Sequence, residues 1–373
     1  MVETPSRDLQ DTERLDPDAL LLTRRSVRNE QAYRDWCVEN YGVVKIGAES
    51  FHPADVLDAL STDAARRGRD DVASQKQEDI EQTVCERFPA PIAVPFQAFV
   101  EGPHAAITRL QRLRDTWESL VRVLASIALA EAAAYGPQFA PLMVRESANQ
   151  GWRECKRRDL FSDKLSVRIG LIDGVFHRAQ ELGVPLRIAA IVPQDVLAEI
   201  RRLNVVRNGF SHSAAMSEVQ AQKLIDEVYP TVIDLLLDLR GLEEVEFVRV
   251  CSIRPGSKAE VEKLTGHAQS RCIGELALDQ HTGMVVAAAE RVEDLDRVLV
   301  RLGDVLLDLS PFVYAADDET GHRTRVFQFK SKSAEYWSLE CVADATTQSS
   351  PCALHEAQLA RFEARLLSAG DGT

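Results

Sequence analysis

The chain has 373 residues, 45% hydrophobic and 27% charged, with a formal net charge of −14. That length allows two or three domains with ordinary buried cores. The charge argues against broad, sequence-blind nucleic-acid binding, which relies on phosphate neutralisation by Lys and Arg. No run of about 18 apolar residues marks a membrane span, and the acidic start MVETPSRDLQDTERLDPD lacks the apolar centre of a signal peptide. Seven cysteines are scattered without a C-x-x-C pair or a neighbouring paired histidine. This argues against a zinc site and against a disulfide framework. The expectation is a cytoplasmic protein with reduced thiols and no membrane partner.

Residues 1–27 are charged, polar and aperiodic, which predicts a disordered start. Residues 29–41 predict a short helix with Tyr33, Trp36, Cys37 and Tyr41 on one side. VVKIG at 43–47 predicts a strand, HPADVLDALST a helix, and 66–79 a polar linker or exposed helix. In FPAPIAVPF, Pro89, Pro91 and Pro95 predict an extended segment over 88–96. A long helix follows from near His104 to Gly136-Pro137, with Ile107, Leu110, Leu113, Trp117, Leu120 and Leu124 at three-four spacing. Further amphipathic helices are predicted over 163–182, from Gln194, and from Ser217, whose spacing to Gln220 fits a capping box. Four helices with short connections imply a bundle.

The period then changes. Strands are predicted at 245–253, 271–279 and 283–290, with a hairpin turn at His281-Thr282-Gly283. A helix is predicted at 292–309. A three-stranded meander (PFVYAA, RTRVFQFK, YWSLECV) and a helix from Leu354 to Leu367 close the chain. The carboxylates Asp317, Asp318 and Glu319 fall in a predicted turn and read as solvated. The boundaries are an N-terminal segment over 1–85, a helical bundle over 86–245, an α+β domain over 246–345 and a C-terminal helix over 346–373.

There is no G-x-x-x-x-G-K-S/T loop, no G-x-G-x-x-G after a strand, no H-E-x-x-H and no G-x-S-x-G. The chemistry concentrates instead in RLNVVRNGFSHS, residues 202–213, where Arg207, Asn208, Ser211 and His212 sit within six residues. Five residues on a straight helix leave Arg207 and His212 about 140° apart. Either the helix ends or bends there, which Gly209 permits, or each side chain meets a partner from a second copy. The structural alternative is that Arg207 and His212 serve only a helix C-terminus. Residues 86–245 are nearly neutral, 19 basic against 20 acidic. If any part of the chain meets a polyanion, its basic groups Lys156-Arg157-Arg158 and Arg201-Arg202 are the candidates.

RNGFSH resembles the R-(N/D/H)-x-x-x-H signature of the HEPN superfamily. The surroundings resemble it too: a long amphipathic helix before, the motif near the end of the third helix, and a capped fourth helix after. The resemblance covers roughly residues 100–242. It implies a mainly α fold, a HEPN-like helical bundle flanked by an N-terminal α-rich segment and a C-terminal α+β domain. It also implies a metal-independent endoribonuclease of toxin or antiphage type that needs no cofactor. Such a protein acts on RNA as a homodimer, with a regulatory protein partner. The alternative is a catalytically silent HEPN-like RNA-binding or protein-interaction module. The resemblance makes Arg207, Asn208 and His212 catalytic and Ser211 supporting. In HEPN toxins silenced by tyrosine adenylylation the motif continues to H-x-Y. Ala214 stands at that position here, so this silencing is not implied.

Overall fold

In a computed structural model of the chain, the described residues are 17–102, 105–146, 151–211, 216–254, 258–267, 272–277 and 295–367. For 17–27, 194–195, 206–211 and 253–254 the description covers the backbone only. The chain divides into two units, Met1–Ile80 and Glu81–Thr373.

The first unit holds α1 (Pro17–Tyr41), a hairpin of β1 (Val44–Ile46) and β2 (Glu49–Phe51), α2 (Pro53–Leu60) and most of α3 (Thr62–Arg87). The expected disordered start is corrected: residues 17–27 are the first turns of α1, and 1–16 lie outside the described residues. The core is Tyr33, Cys37, Ala54 and Ala65, with Trp36 and Leu57 packed against it. Arg69 ties α3 to α1 and α2. Its guanidinium donates to Glu30 at 2.9 Å and to Asp58 at 2.8 Å, and it lies 4.2 Å over the Tyr33 ring.

The second unit corrects the proline-rich segment. It is a helix, α4 (Ala90–Val100), with Pro91 in its first turn and Pro95 inside. Pro91 needs no N–H there. Pro95 leaves the Pro91 carbonyl, four residues earlier, without its usual donor. That carbonyl accepts instead from the hydroxyl of Ser119, on α5 (Ala106–Ala134). The proline cost is offset by a partner distant in sequence.

Around α5 pack α7 (Leu165–Leu182) and α10 (Glu218–Asp238), while α9 (Gln194–Ser211) packs on both α7 and α10. Ser217 caps α10, with its side chain accepting from the Gln220 amide and Gln220 reaching back, as its spacing predicted. Two short helices, α6 (Arg157–Leu160) and α8 (Arg187–Ile191), and a hairpin of β3 (Met143–Arg145) and β4 (Trp152–Glu154) join these elements.

The mainly α expectation is overturned by a nine-stranded, wholly antiparallel sheet, which makes the chain α+β. Its strands are β5 (Glu246–Arg254), β6 (Lys258–Lys263), β7 (Cys272–Ala277), β8 (Asp296–Leu302), β9 (Val305–Asp308), β10 (Val313–Asp317), β11 (Thr324–Lys332), β12 (Tyr336–Cys341) and β13 (Thr347–Pro351). The order is β13-β12-β11-β10-β8-β5-β6-β7, with β9 also on β8. The predicted helix over 292–309 is the β8–β9 hairpin. Leu295, Val298, Leu299, Leu302, Val305, Leu306 and Leu309 fit three-four spacing as well as a strand buried on both faces. Gly303, at φ 61°, makes the two-residue turn that decides it. The strand predicted at 283–290 and its turn at 281–283 lie outside the described residues. A buried cation knits the sheet together. Arg249 of β5 meets Asp296 of β8, Glu262 of β6 and Asp317 of β10 at 2.5, 3.2 and 2.6 Å. The chain ends in α11 (Glu356–Leu366), packed on α5.

Two glycines on one face of α7 admit β3. A Cβ at Gly174 would overlap the Met143 carbonyl, and one at Gly170 the Arg145 carbonyl. Gly174→Ala should therefore destabilise, although alanine favours an isolated helix by about 1 kcal/mol. Overpacking of this kind costs about 1–3 kcal/mol, and thermal melting should show a midpoint lowered by several degrees. An unchanged or raised midpoint would mean that the hairpin yields freely.

Candidate nucleic-acid interface

Arg207, Asn208 and Ser211 lie on the last turns of α9. Their side chains, and all of His212, lie outside the described residues. The described surroundings are set by α7 and the β3–β4 hairpin. Asp173, buried on α7, pairs with Arg201 of α9. Burial, followed by the charge of Arg145, pushes the Arg201 guanidinium down to about 10. Arg145 pairs in register with Trp152 across the hairpin. The Trp152 ring stacks on His177 of α7, with centroids 4.5 Å apart and planes at 20°. Arg145 lies 5.9 Å from the same ring.

The five basic candidates are placed in two groups. Lys156 precedes α6, and Asp159 accepts from its backbone N–H at 2.9 Å. Arg157 pairs with Glu363 at 2.6 Å, while Arg158 is exposed. Arg201 is held by Asp173, and Arg202 lies 3.9 Å from Glu199, one turn back. Three of the five thus face carboxylates already. Sequence reading missed Trp152, His177 and Arg145. The available signals were a tryptophan directly before a basic run and the Gly170–Gly174 spacing that seats the hairpin.

Two other polar constellations are structural. Ser350 and His355 lie 3.1 Å apart (Oγ to Nε2), and the other imidazole nitrogen is 2.8 Å from the Tyr314 hydroxyl. A serine beside a histidine can be a nucleophile and its base. Here all three residues are fully buried, and desolvation pushes the imidazole down to about 4. It is neutral, sealed and partnered by hydroxyls rather than by a carboxylate. A concavity beside α5 is lined by Glu118, Ser119, Arg122, Gln328 and Glu340. Arg122 donates to Glu340 at 2.6 Å and to Glu118 at 3.1 Å. Burial acts to raise the Glu340 carboxyl, but Lys330 and Arg122 outweigh it and hold the group below its usual range. Of the turn carboxylates, Asp317 pairs with Arg249 and Asp318 accepts from the backbone of His322 and Arg323. Among the described residues no group of three His, Cys, Asp or Glu side chains is arranged to hold a metal ion, and no helix is long and apolar enough to cross a membrane.

Comparison with protein-family models, with curated proteins and with solved structures gave no match.

The buried histidine makes stability depend on pH. As pH falls, the unfolded chain takes up a proton near 6.5, while native His355 resists until about 4. Its contribution is complete above 6.5 and is lost progressively down to about 4. Between pH 7 and pH 5 the loss should be about 2 kcal/mol. His355→Gln cannot titrate and should lose less than wild type over that interval in urea unfolding. Parallel losses in both proteins would assign the dependence to other groups.

Proposed function

We propose that this chain is a metal-independent endoribonuclease of HEPN type, a cytoplasmic toxin or antiphage effector acting as a homodimer under a regulatory partner. The observation that supports this reading is the four-helix arrangement. Helices α5, α7, α9 and α10 pack on one another around a closed circuit, and Ser217, the cap of α10, stands six residues after Ser211. The R-N-x-x-x-H run therefore starts on the last turns of α9, and its His212 precedes Ser217 by five residues in sequence.

RNA carries its own nucleophile, the 2′-OH beside the scissile phosphate. Cleavage needs a proton taken from that oxygen, a proton given to the departing 5′-oxygen, and charge stabilisation on the phosphorane. His212, with an unperturbed value near 6.5, can move protons at neutral pH. Arg207 offers a planar fork of donors to phosphate oxygens. Asn208 orients the imidazole or holds the phosphate, and Ser211 supports it. The wide angle between Arg207 and His212 on a regular helix favours a site completed by a second copy.

Purified protein incubated with RNA in excess EDTA should leave 2′,3′-cyclic phosphate and 5′-hydroxyl ends. His212→Ala should reduce cleavage by about 10²–10⁴-fold, and Arg207→Lys should fail as well, because an ammonium lacks the bidentate fork. Cleavage that requires magnesium and leaves 5′-phosphates would overturn the mechanism. Absence of cleavage by any form would favour the silent RNA-binding or interaction module. Sedimentation at micromolar concentration should give a dimer, whereas a strict monomer that still cleaves RNA would remove the shared site.

A further inference from the structure

Tryptophan is among the side chains that gain most from burial, yet Trp152 is 40% exposed while Val144 and Cys155, in and beside the same hairpin, are buried. Its exposure does not come from looseness. His177 lies flat against the indole, and Arg145, its cross-strand partner in register, lies over the ring 5.9 Å from the centroid. Both depend on the close seating of β3 over Gly170 and Gly174. His177 follows Gly170 and Gly174 on the same α7 stripe, at spacings of four and three residues. The indole is thus held in place by elements of the fold before any ligand arrives, which lowers the ordering cost of binding.

Its surroundings suit a polyanion better than the chain as a whole does. Residues 145–159 contain five basic and three acidic side chains, Glu146, Glu154 and Asp159, the last paired with Arg153 at 2.5 Å. Glu146 is engaged by Arg153 at 3.1 Å. The Asp173–Arg201 pair joins this face of α7 to α9. From Arg201, Asn208 stands two helical turns on, roughly 10 Å along the axis. Val205, midway on that stripe, is 70% exposed.

We propose that Trp152, backed by His177 and with Arg145 near its ring, is a stacking subsite for an unpaired RNA base. The proposal rests on the reading that the chain acts on RNA, and it specifies the substrate as single-stranded at this point. A base can stack on an indole only when it is free of its own duplex, and such stacking is tolerant of sequence. Arg145 and Arg201 then meet the phosphates on either side of that base.

The test uses the full chain carrying His212→Ala, so that RNA survives, and measures binding of a labelled single-stranded RNA oligonucleotide by anisotropy. Adding Trp152→Ala should weaken binding about tenfold to hundredfold with the melting midpoint kept. Trp152→Phe, which retains an aromatic face, should bind within a few-fold of the parent. RNA should quench the parent's tryptophan fluorescence, and the Trp152→Phe protein should lose that quench. If wild type cleaves RNA but Trp152→Ala binds as tightly as the parent, the subsite is wrong and the ribonuclease reading stands. If Trp152→Ala weakens binding while no form cleaves, the subsite stands and the nuclease reading falls. If neither wild type nor the His212→Ala parent binds RNA, both fall. Equal losses in Trp152→Ala and Trp152→Phe with lowered melting would assign Trp152 to the fold and overturn the subsite.

Discussion

Burial of the second half of α5 is the constraint on which the second unit depends. Every residue from Val123 to Ala133 is buried, so this helix touches solvent along almost none of its second half. A helix enclosed in this way must satisfy its polar groups from within the protein, because an unpaired buried group costs about 1–3 kcal/mol. The partners then dictate what surrounds it. Glu131 accepts from the backbone N–H of Arg187 and Ile188 at 2.6 and 3.0 Å, which caps α8. Desolvation still raises that carboxyl above its usual value despite these two bonds. At the C-terminal end Arg365 of α11 donates to the Ala133 carbonyl at 2.8 Å, supplying charge where the helix presents unsatisfied carbonyls. Earlier in the helix Ser119 completes α4, and Arg122 reaches Glu340 on β12. Bundle and sheet therefore share one helix.

That sharing explains which parts of the fold were legible in the sequence. The helices whose apolar residues recur at three-four spacing were readable, and so was the Ser217 capping box, because both signals are local. The four-helix circuit that includes α5 emerges from them directly. Helix α4 was not readable: the permission for Pro95 inside a helix comes from Ser119, far along the chain. The β8–β9 hairpin was not readable either, since a strand buried on both faces loses the alternation that identifies strands. There the apolar spacing fits both forms, and only the backbone of Gly303 separates them. Two short strands, β6 and β13, carry mixed polar sequences and owe their existence to their neighbours' edges.

The site was legible in a different way. The run from Arg207 to His212 draws attention by composition alone, because several polar groups with useful chemistry interrupt an apolar stripe. The basic candidates drew attention by charge, and charge misleads when partners are unknown: Arg157, Arg201 and Arg202 each stand near a carboxylate. For Trp152 the sequence offered only its place before a basic run, which says nothing of exposure. What makes it a surface feature is the approach of a hairpin to a helix over Gly170 and Gly174, a fact of packing that two glycines hint at and only the fold completes.

The charge of the chain and the proposed site bear on each other. A phosphate reaching Arg201 or Arg157 must share it with Asp173 or Glu363, so one anion is exchanged for another and the Coulomb gain is small. Binding through such cations releases few counterions, and its salt dependence is correspondingly shallow. An indole is indifferent to this competition. On the proposed reading, recognition in an acidic chain moves from phosphate charge to the face of a base, and with it comes selection for unpaired segments. The chemistry gains as well. Attack by the 2′-OH depends on bringing that oxygen into line behind the phosphorus, and a misplacement of 1 Å can cost about 10²-fold. On that same reading, a base held against Trp152 restrains the sugar–phosphate chain, and the phosphate presented to Arg207 and His212 has less freedom to lose.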